Sequence, residues 1–145
     1  RSINAEVPDG FYTIPFGKAA ITSKGSSLSI ITYGLGVHWA MDLKENEQLD
    51  IEIIDLRTLA PLDYEAIQAT VAKTGKVVVL HEDSMFGGIG GEIAAYISEH
   101  CFEHLDGPVM RCASLDTPIP FGKNLESNYL ASKRLKNTVY NLLEY

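Results

Sequence analysis

The stretch that decides the fold runs from Asp55 to Glu92 in three blocks. The first reads Asp55-Leu56-Arg57-Thr58-Leu59-Ala60-Pro61-Leu62-Asp63. The second reads Lys73-Thr74-Gly75-Lys76 and then Val77-Val78-Val79-Leu80-His81-Glu82. The third reads Gly87-Gly88-Ile89-Gly90-Gly91-Glu92. Residues 77–80 are a short unbroken apolar run, the pattern of a parallel strand buried on both faces. Residues 63–73 carry helical spacing, with Tyr64, Ile67 and Val71 on one face. Asp63 is placed to cap that helix and Leu62 to pack back on its first turn. Gly75 falls where a helix ends in the left-handed conformation. The glycines after Glu82 allow a sharp turn and close backbone approach. Glu92 falls in the first turn of the next helix, where its charge suits the dipole.

Working outward, strands are expected at 18–22, 28–33, 51–56, 77–81 and 109–113. Helices are expected at 35–43, 63–73 and 90–102, with a closing helix from 125 or 128 to 143. Residues 1–15, with Pro8, Gly10 and Pro15, read as an extended interdomain linker, which leaves 16–145 as the domain. Alternating strands and helices imply right-handed crossovers and a mostly parallel sheet covered on both faces. The turn-rich Ser23-Lys24-Gly25-Ser26-Ser27, read alone, pairs the first two strands as a hairpin.

A chain of 145 residues is long enough for one domain with a sizeable core. Its net charge of −7 argues against nucleic acid or an anionic membrane and suits a basic protein partner. Cys101 and Cys112 lack CxxC spacing and read as small buried hydrophobes in a reducing compartment. No apolar run is long enough to cross a membrane, and there is no secretory apolar segment. Opening on Arg1, the chain reads as a piece or processed product of a longer one.

Ligand sites in open parallel sheets form at the carboxyl ends of the strands. Here those ends carry Tyr33-Gly34, Asp55 with Arg57, His81 with Glu82, and Ser114 with Asp116. One reading is a small-molecule or catalytic site. The other is a polar surface packed on a neighbouring domain and a second subunit. Asp55 and Arg57 read as an ion pair bracing the turn into Pro61. His81 and Glu82 are the best acid–base candidates, although neighbours on a strand face opposite ways.

The segment Gly87, Gly88, Gly90, Gly91 fails the dinucleotide pattern at Ile93 and the Walker pattern altogether. Close packing against a partner is then its expected role, and a valine at Gly91 is expected to damage folding or assembly. His100 and His104 sit four apart, but Asp106-Gly107 ends the helix that a metal site would need. His38 and Trp39 read as one surface and one packing residue, and Lys133, Arg134 and Lys136 as a solvated basic face.

These blocks, in this order, resemble the C-terminal domain of the beta subunit of thiamine-diphosphate-dependent 2-oxoacid dehydrogenases. That subunit belongs to the decarboxylating component of the pyruvate and branched-chain complexes, and transketolase shares the domain. Further matches to the family are Val7-Pro8, Tyr12-Thr13-Ile14-Pro15, Gly17-Lys18-Ala19, Ile31-Thr32-Tyr33-Gly34 and Asp116-Thr117-Pro118-Ile119-Pro120. Nearly the whole chain is covered. It departs over residues 41–48 and at Ala131, where the family commonly has the proline of a Leu-Pro pair.

The resemblance implies a three-layer α/β/α sandwich around a five-stranded, mostly parallel sheet. Its first strand is antiparallel and lies beside the third, not the second. The parent enzyme is implied to decarboxylate a 2-oxo acid oxidatively and pass the acyl group to lipoamide, using thiamine diphosphate and magnesium. The implied holders of that cofactor are other domains, and Gly-Asp-Gly does not occur here. No catalytic, cofactor-binding or metal residue is then expected in this piece. The implied partners are the upstream pyrimidine-binding domain, a second copy, an alpha subunit or fused alpha domain, and the subunit-binding domain of the dihydrolipoyl acyltransferase. The last is expected near the tail ending at Tyr145, with Asp116 and Glu126 on the same surface. The implied location is bacterial cytoplasm or mitochondrial matrix.

The alternative is a free-standing flavodoxin-like module, since Thr32-Tyr33-Gly34-Leu35-Gly36 is similar to a flavin phosphate loop without its further hydroxyls. A phosphoacceptor receiver domain is disfavoured by Tyr33-Gly34 where it needs an acidic pair.

Overall fold

The strand Leu28–Thr32 (β2) has no exposed residue and lies at the centre of a five-stranded sheet. The computed structural model describes residues 6–145; the start of the expected linker, residues 1–5, lies outside the described residues. The other strands are Ala20–Ser23 (β1), Ile51–Asp55 (β3), Val77–Ser84 (β4) and Met110–Ser114 (β5), in the order β1-β3-β2-β4-β5. β2 runs parallel to β3 and β4, β4 runs parallel to β5, and β1 is antiparallel to β3. The antiparallel strand therefore lies beside the third, and the hairpin pairing does not occur.

Helices Leu35–Glu47 (α1), Tyr64–Thr74 (α2), Ile89–His100 (α3), Lys123–Tyr129 (α4) and Ser132–Leu143 (α5) complete the chain. Side chains alternate across each central strand. Leu28, Ile30, Ile51, Ile53, Val78 and Leu80 meet Ala40 of α1 and Leu135, Val139 and Leu142 of α5. Ile31, Ile54, Val77 and Val79 meet Ile67, Val71, Ile93 and Ile97 of α2 and α3 on the other face. Each such aliphatic side chain contributes about 1.5–3 kcal/mol by leaving water. Cys101 and Cys112 are free and buried, one in each core, and burial raises both thiols above the ordinary range.

The local signals around α2 act as the sequence predicts. Asp63 accepts from Ala66 N at 3.2 Å through Oδ1 and from Ala19 N at 2.9 Å through Oδ2, so the cap also ties the segment entering β1 to the start of α2. Gly75 closes the helix in the left-handed conformation at φ 67°. The strand β4 runs three residues past the expected His81 limit, to Ser84, and α1 runs on to Glu47.

The expected single closing helix is two. Leu130, extended at ψ 147°, separates α4 from α5. Arg134 holds the junction: it donates to Ala113 O at 2.8 Å, Tyr129 O at 2.9 Å and Asn128 O at 3.1 Å. Lys136 pairs with Glu47 at 2.7 Å. Lys133 and Lys136 are solvent-exposed as expected, whereas Arg134 is not part of a solvated face. A planar guanidinium satisfies carbonyls freed where the helix breaks, and the ammonium ties α5 to α1.

On the α2 side the strands also carry Ser29 and Glu52, which form a buried polar chain. Ser29 Oγ meets Thr70 Oγ1 at 2.6 Å and Thr74 Oγ1 at 2.8 Å. Thr70 donates to Glu52 at 2.7 Å, and Lys73 pairs with the other Glu52 oxygen. Glu52 is only 2% exposed, so its charge depends on Lys73. Lys73→Met is expected to cost about 2 kcal/mol, below the usual penalty for breaking a buried pair because the lysine is partly solvated. Adding Glu52→Gln is expected to recover part of the loss, as read by urea unfolding of single and double variants.

Candidate functional site

In chain order the four parallel strands lie 2-1-3-4, with the reversal of connection direction between β2 and β4. The carboxyl ends of those two strands flank the crevice where doubly wound proteins hold ligands. Tyr33 follows β2, and Glu82 and Asp83 stand on the extension of β4. A cleft of about 350 Å³ opens there, walled by Tyr33, Glu82, Asp83, Ile119, Glu126 and Tyr129. Burial first, then the charges of Asp83 and Glu82, raise the Tyr33 phenol above the ordinary tyrosine range. The acidic side chains that line the cleft disfavour a phosphate there.

The other expected members of the cluster lie apart from this cleft. Asp55, Arg57 and Gly34 line a second hollow with Ile14, Pro15 and Phe16. Asp55 Oδ1 accepts from Arg57 N at 3.0 Å, while the side chains approach only to 3.9 Å. Arg57 sits at φ 58°, an uncommon backbone for a side-chain-bearing residue, and the Asp55 carboxylate satisfies its N–H there. Asp116 Oδ1 accepts from Phe86 N at 2.7 Å and holds the loop after β4. Ser114 donates to Glu82 O at 2.6 Å.

His81 and Glu82 do not form an acid–base pair. The strand puts Glu82 at the surface and His81 inside, fully buried, with neither ring nitrogen hydrogen-bonded among the described residues. The ring fills the space beneath the start of α3. A Cβ on Gly88 would lie 2.5 Å from His81 Cε1, and one on Gly90 would lie 2.5 Å from His81 Nε2. At Gly88 and Gly90 close approach is thus made within this chain, between glycine backbone and imidazole. Gly91 is different: a Cβ there meets only Arg111 Nη1, at 3.6 Å. The expected damage to folding at Gly91 therefore falls, because α3 turns that position toward a flexible side chain; the expected damage to assembly concerns the groove that Gly91 lines. Gly87, at φ 74°, is left in open space. Burial lowers the His81 pKa, against the raising effect of Asp83.

The tail occupies another region. Tyr145 packs on Gly107 and borders a groove with Gly91, Ala94, Phe102 and Arg111. Gly107 precedes β5, whereas Asp116 and Glu126 follow it, so the strand's length of roughly 16 Å separates them. Asp116 and Glu126 thus stand at the opposite end of β5 from the tail. His100 stacks on Tyr96 with centroids 4.4 Å apart. Among the described residues, no three His, Cys, Asp or Glu side chains gather as metal ligands.

These observations describe a doubly wound domain with an antiparallel edge strand and an acidic switch-point cleft. The family model "Transketolase, C-terminal domain" matches residues 17–134, and the chain belongs to that family. It is similar to the 2-oxoisovalerate dehydrogenase subunit beta of Pseudomonas aeruginosa, 47% identical over 80% of this chain and 33% of that one. It is also similar to the pyruvate dehydrogenase E1 component subunit beta of Bacillus subtilis, 40% identical over 100% of this chain and 46% of that one. Among solved structures, a split-gene transketolase described as an inactive beta4 tetramer superposes with a TM-score of 0.76 at 26% identity, covering 95% of this chain and 46% of that one. The chain spans less than half the length of the curated relatives quoted. Among the described residues, no helix is long and apolar enough to cross a membrane.

Two outcomes follow from the His81 packing. Gly90→Ala is expected to lose about 1–3 kcal/mol through a core clash. Gly91→Ala is expected to be neutral or slightly stabilising, because alanine favours a helix. Thermal melts of both, with His81→Ala added to Gly90→Ala as the rescuing change, check this. The second outcome concerns pH. The unfolded chain takes up a proton at His81 near pH 6.5, while the folded chain resists until a lower pH. Stability is full above that value and falls as pH drops below it, by at most about 1.4 kcal/mol per pH unit. Urea midpoints from pH 7 to about 5 are expected to slope less in His81→Met than in the parent sequence. The lowered carboxyls of Glu47 and Asp50 lose their contribution below that window.

Proposed function

We propose that this chain is the C-terminal assembly and docking domain of a 2-oxoacid dehydrogenase beta subunit, with residues up to 15 joining it to an upstream domain. The parent enzyme decarboxylates a 2-oxo acid and transfers the acyl group to lipoamide, with thiamine diphosphate supplying the electron sink when bound. The similarity to 2-oxoisovalerate and pyruvate dehydrogenase beta subunits supports that parentage. The observation that carries the assembly role is the exposed apolar surface around the carboxyl ends of the strands. Phe16, Phe86, Ile119, Phe121 and Leu125 are all more than 60% exposed. Apolar surface of this extent marks a covered face in the assembled protein.

The cofactor does not fit the residues present. A diphosphate needs neutral or basic surroundings, and its magnesium needs a gathered set of oxygen donors. The carboxylates Glu82, Asp83 and Glu126 line the switch-point cleft, and no metal cage forms among the described residues. We read the contribution of this domain as structural: it presents the carboxyl-end face to the rest of the parent. The groove beside Tyr145, with exposed Phe102 and a stripe of small residues on α3, is its second face, for the acyltransferase.

The test uses the full-length parent chain co-expressed with its alpha chain. Reduction of an artificial electron acceptor is expected to depend on 3-methyl-2-oxobutanoate or pyruvate. The isolated 6–145 piece is expected to show no saturable heat with thiamine diphosphate and magnesium, whereas the assembled parent titrates. Micromolar binding by the piece overturns the division of labour; a parent inactive on every 2-oxo acid overturns the parentage.

A further inference from the structure

Of the four histidines, His38, His100 and His104 are exposed and His81 is fully buried. Neither of its ring nitrogens has a hydrogen-bond partner among the described residues. The ring is wedged under a lightly held segment. Met85 N donates to Ser114 O at 3.2 Å, Phe86 N to Asp116 Oδ1 at 2.7 Å and Gly91 N to Gly88 O at 3.1 Å. Gly87, at φ 74° and in open space, and Gly88, against the ring, are two glycine joints between Phe86 and α3. Phe86, at the head of this loop, is 87% exposed.

We propose that His81 is an acid-operated latch: the neutral ring holds the Phe86 loop and the first turn of α3 closed, and the protonated ring opens them while the sheet stays folded. A neutral imidazole fills the space under Gly88 and Gly90 as an apolar group would. An imidazolium is a cation with two N–H donors, and the closed site gives it no acceptor. The surrounding charges do not compensate. On β4, Asp83 attracts the proton while Glu82 turns to the surface; on β5, Arg111 repels it. On α3 the facing residues are glycines, and Glu92 is exposed in the first turn. Tyr33, beyond β2, has a raised phenol and carries no charge from neutral pH downward. Burial outweighs Asp83 and keeps the folded ring neutral to lower pH.

The opening is local because the chain around the ring is unevenly held. β4 is paired on both edges, to β2 and to β5. The loop is tied by the bonds from Met85 and Phe86 and by a long contact from Arg111 Nη1 to Met85 O at 3.4 Å. Moving it on its glycine joints lets water reach the ring without separating strands. A wetted ring regains the ordinary histidine value of 6.5. Below that pH the open form gains about tenfold over the closed form per pH unit, until the closed ring also takes a proton. Above it the latch is shut. Phe86 belongs to the carboxyl-end face, so the consequence for binding rests on the assembly reading above: acid withdraws an aromatic contact from a partner.

The test is hydrogen exchange on the full-length parent chain, free and with its partner chains, between about pH 7.5 and about pH 5.5, corrected for the intrinsic pH dependence of exchange. In the free chain the amides of Met85, Phe86 and Gly91 are expected to open more often than those of Ile30 and Ile31 in β2. Their opening is expected to rise about tenfold per pH unit below the ordinary histidine value. His81→Met and His81→Gln, which cannot titrate there, are expected to abolish that slope. A flat profile in the unmodified chain, equal opening of loop and β2 at every pH, or a slope that survives in a folded variant overturns the latch. The first two readings need no variant, so they decide the matter even where both variants misfold. With the partner chains present, acid is expected to weaken assembly more in the unmodified parent than in the variants, and equal weakening overturns the link to assembly. A parent that does not assemble even at neutral pH overturns the assembly reading, while the exchange profile still decides the latch.

Discussion

The constraint on which the structure depends is the two-sided burial of β2. It is covered by helices above and below and hydrogen-bonded to β3 and β4 on its edges. A strand in that position can carry no solvated side chain, and each residue must suit one of two cores. Leu28 and Ile30 feed the α1/α5 side and Ile31 the α2/α3 side. Shifting the register by one residue would exchange the two sets, so the alternation and the parallel pairing enforce each other. The reversal of strand order beside β2 then creates the crevice at its carboxyl end.

The two layers differ in kind. The α1/α5 layer is apolar and held at its margin by Lys136 on Glu47 and by the Arg134 guanidinium at the broken helix. The α2/α3 layer includes a polar chain from Ser29 to Lys73 and the unpaired imidazole of His81. Buried polar groups are costly unless satisfied, and the Glu52 chain meets that condition. His81 does not. Its place is set by shape, because the backbone at Gly88 and Gly90 closes on the ring more tightly than any side chain would permit. This contact orients the start of α3 relative to β4, and with it the loop that carries Phe86.

Chemistry-bearing residues that lie close in the chain are separated by the strand geometry. His81 and Glu82 face opposite sides of β4, and Asp55 uses its carboxylate on the Arg57 backbone more than on its guanidinium. Residues far apart in the chain are brought together instead: Tyr33, Glu82 and Glu126 share one cleft. Only Tyr33 and Glu82 were assignable to this cleft beforehand, through their position at strand ends; Glu126 was expected on the surface beside the tail. Asp83 was hidden because β4 runs past its apolar stretch, and Glu126 because the break at Leu130 creates α4 as a separate wall. No local signal marks that break, since Ala131 favours a helix and the carbonyls freed there are satisfied by Arg134 from the next turn.

Apolar periodicity, the Asp63 cap and Gly75 determined by themselves that strands and helices alternate, where α2 stops, and that the sheet is covered on both faces. Those signals act within one or two turns of chain, where local backbone preference and solvent exposure suffice. Tertiary structure alone decided three other features: which glycines meet a side chain, which basic residues are bound, and which carboxylates face one another. Each depends on distances between segments far apart in the chain, and such distances are fixed by packing around β2 and not by any local pattern.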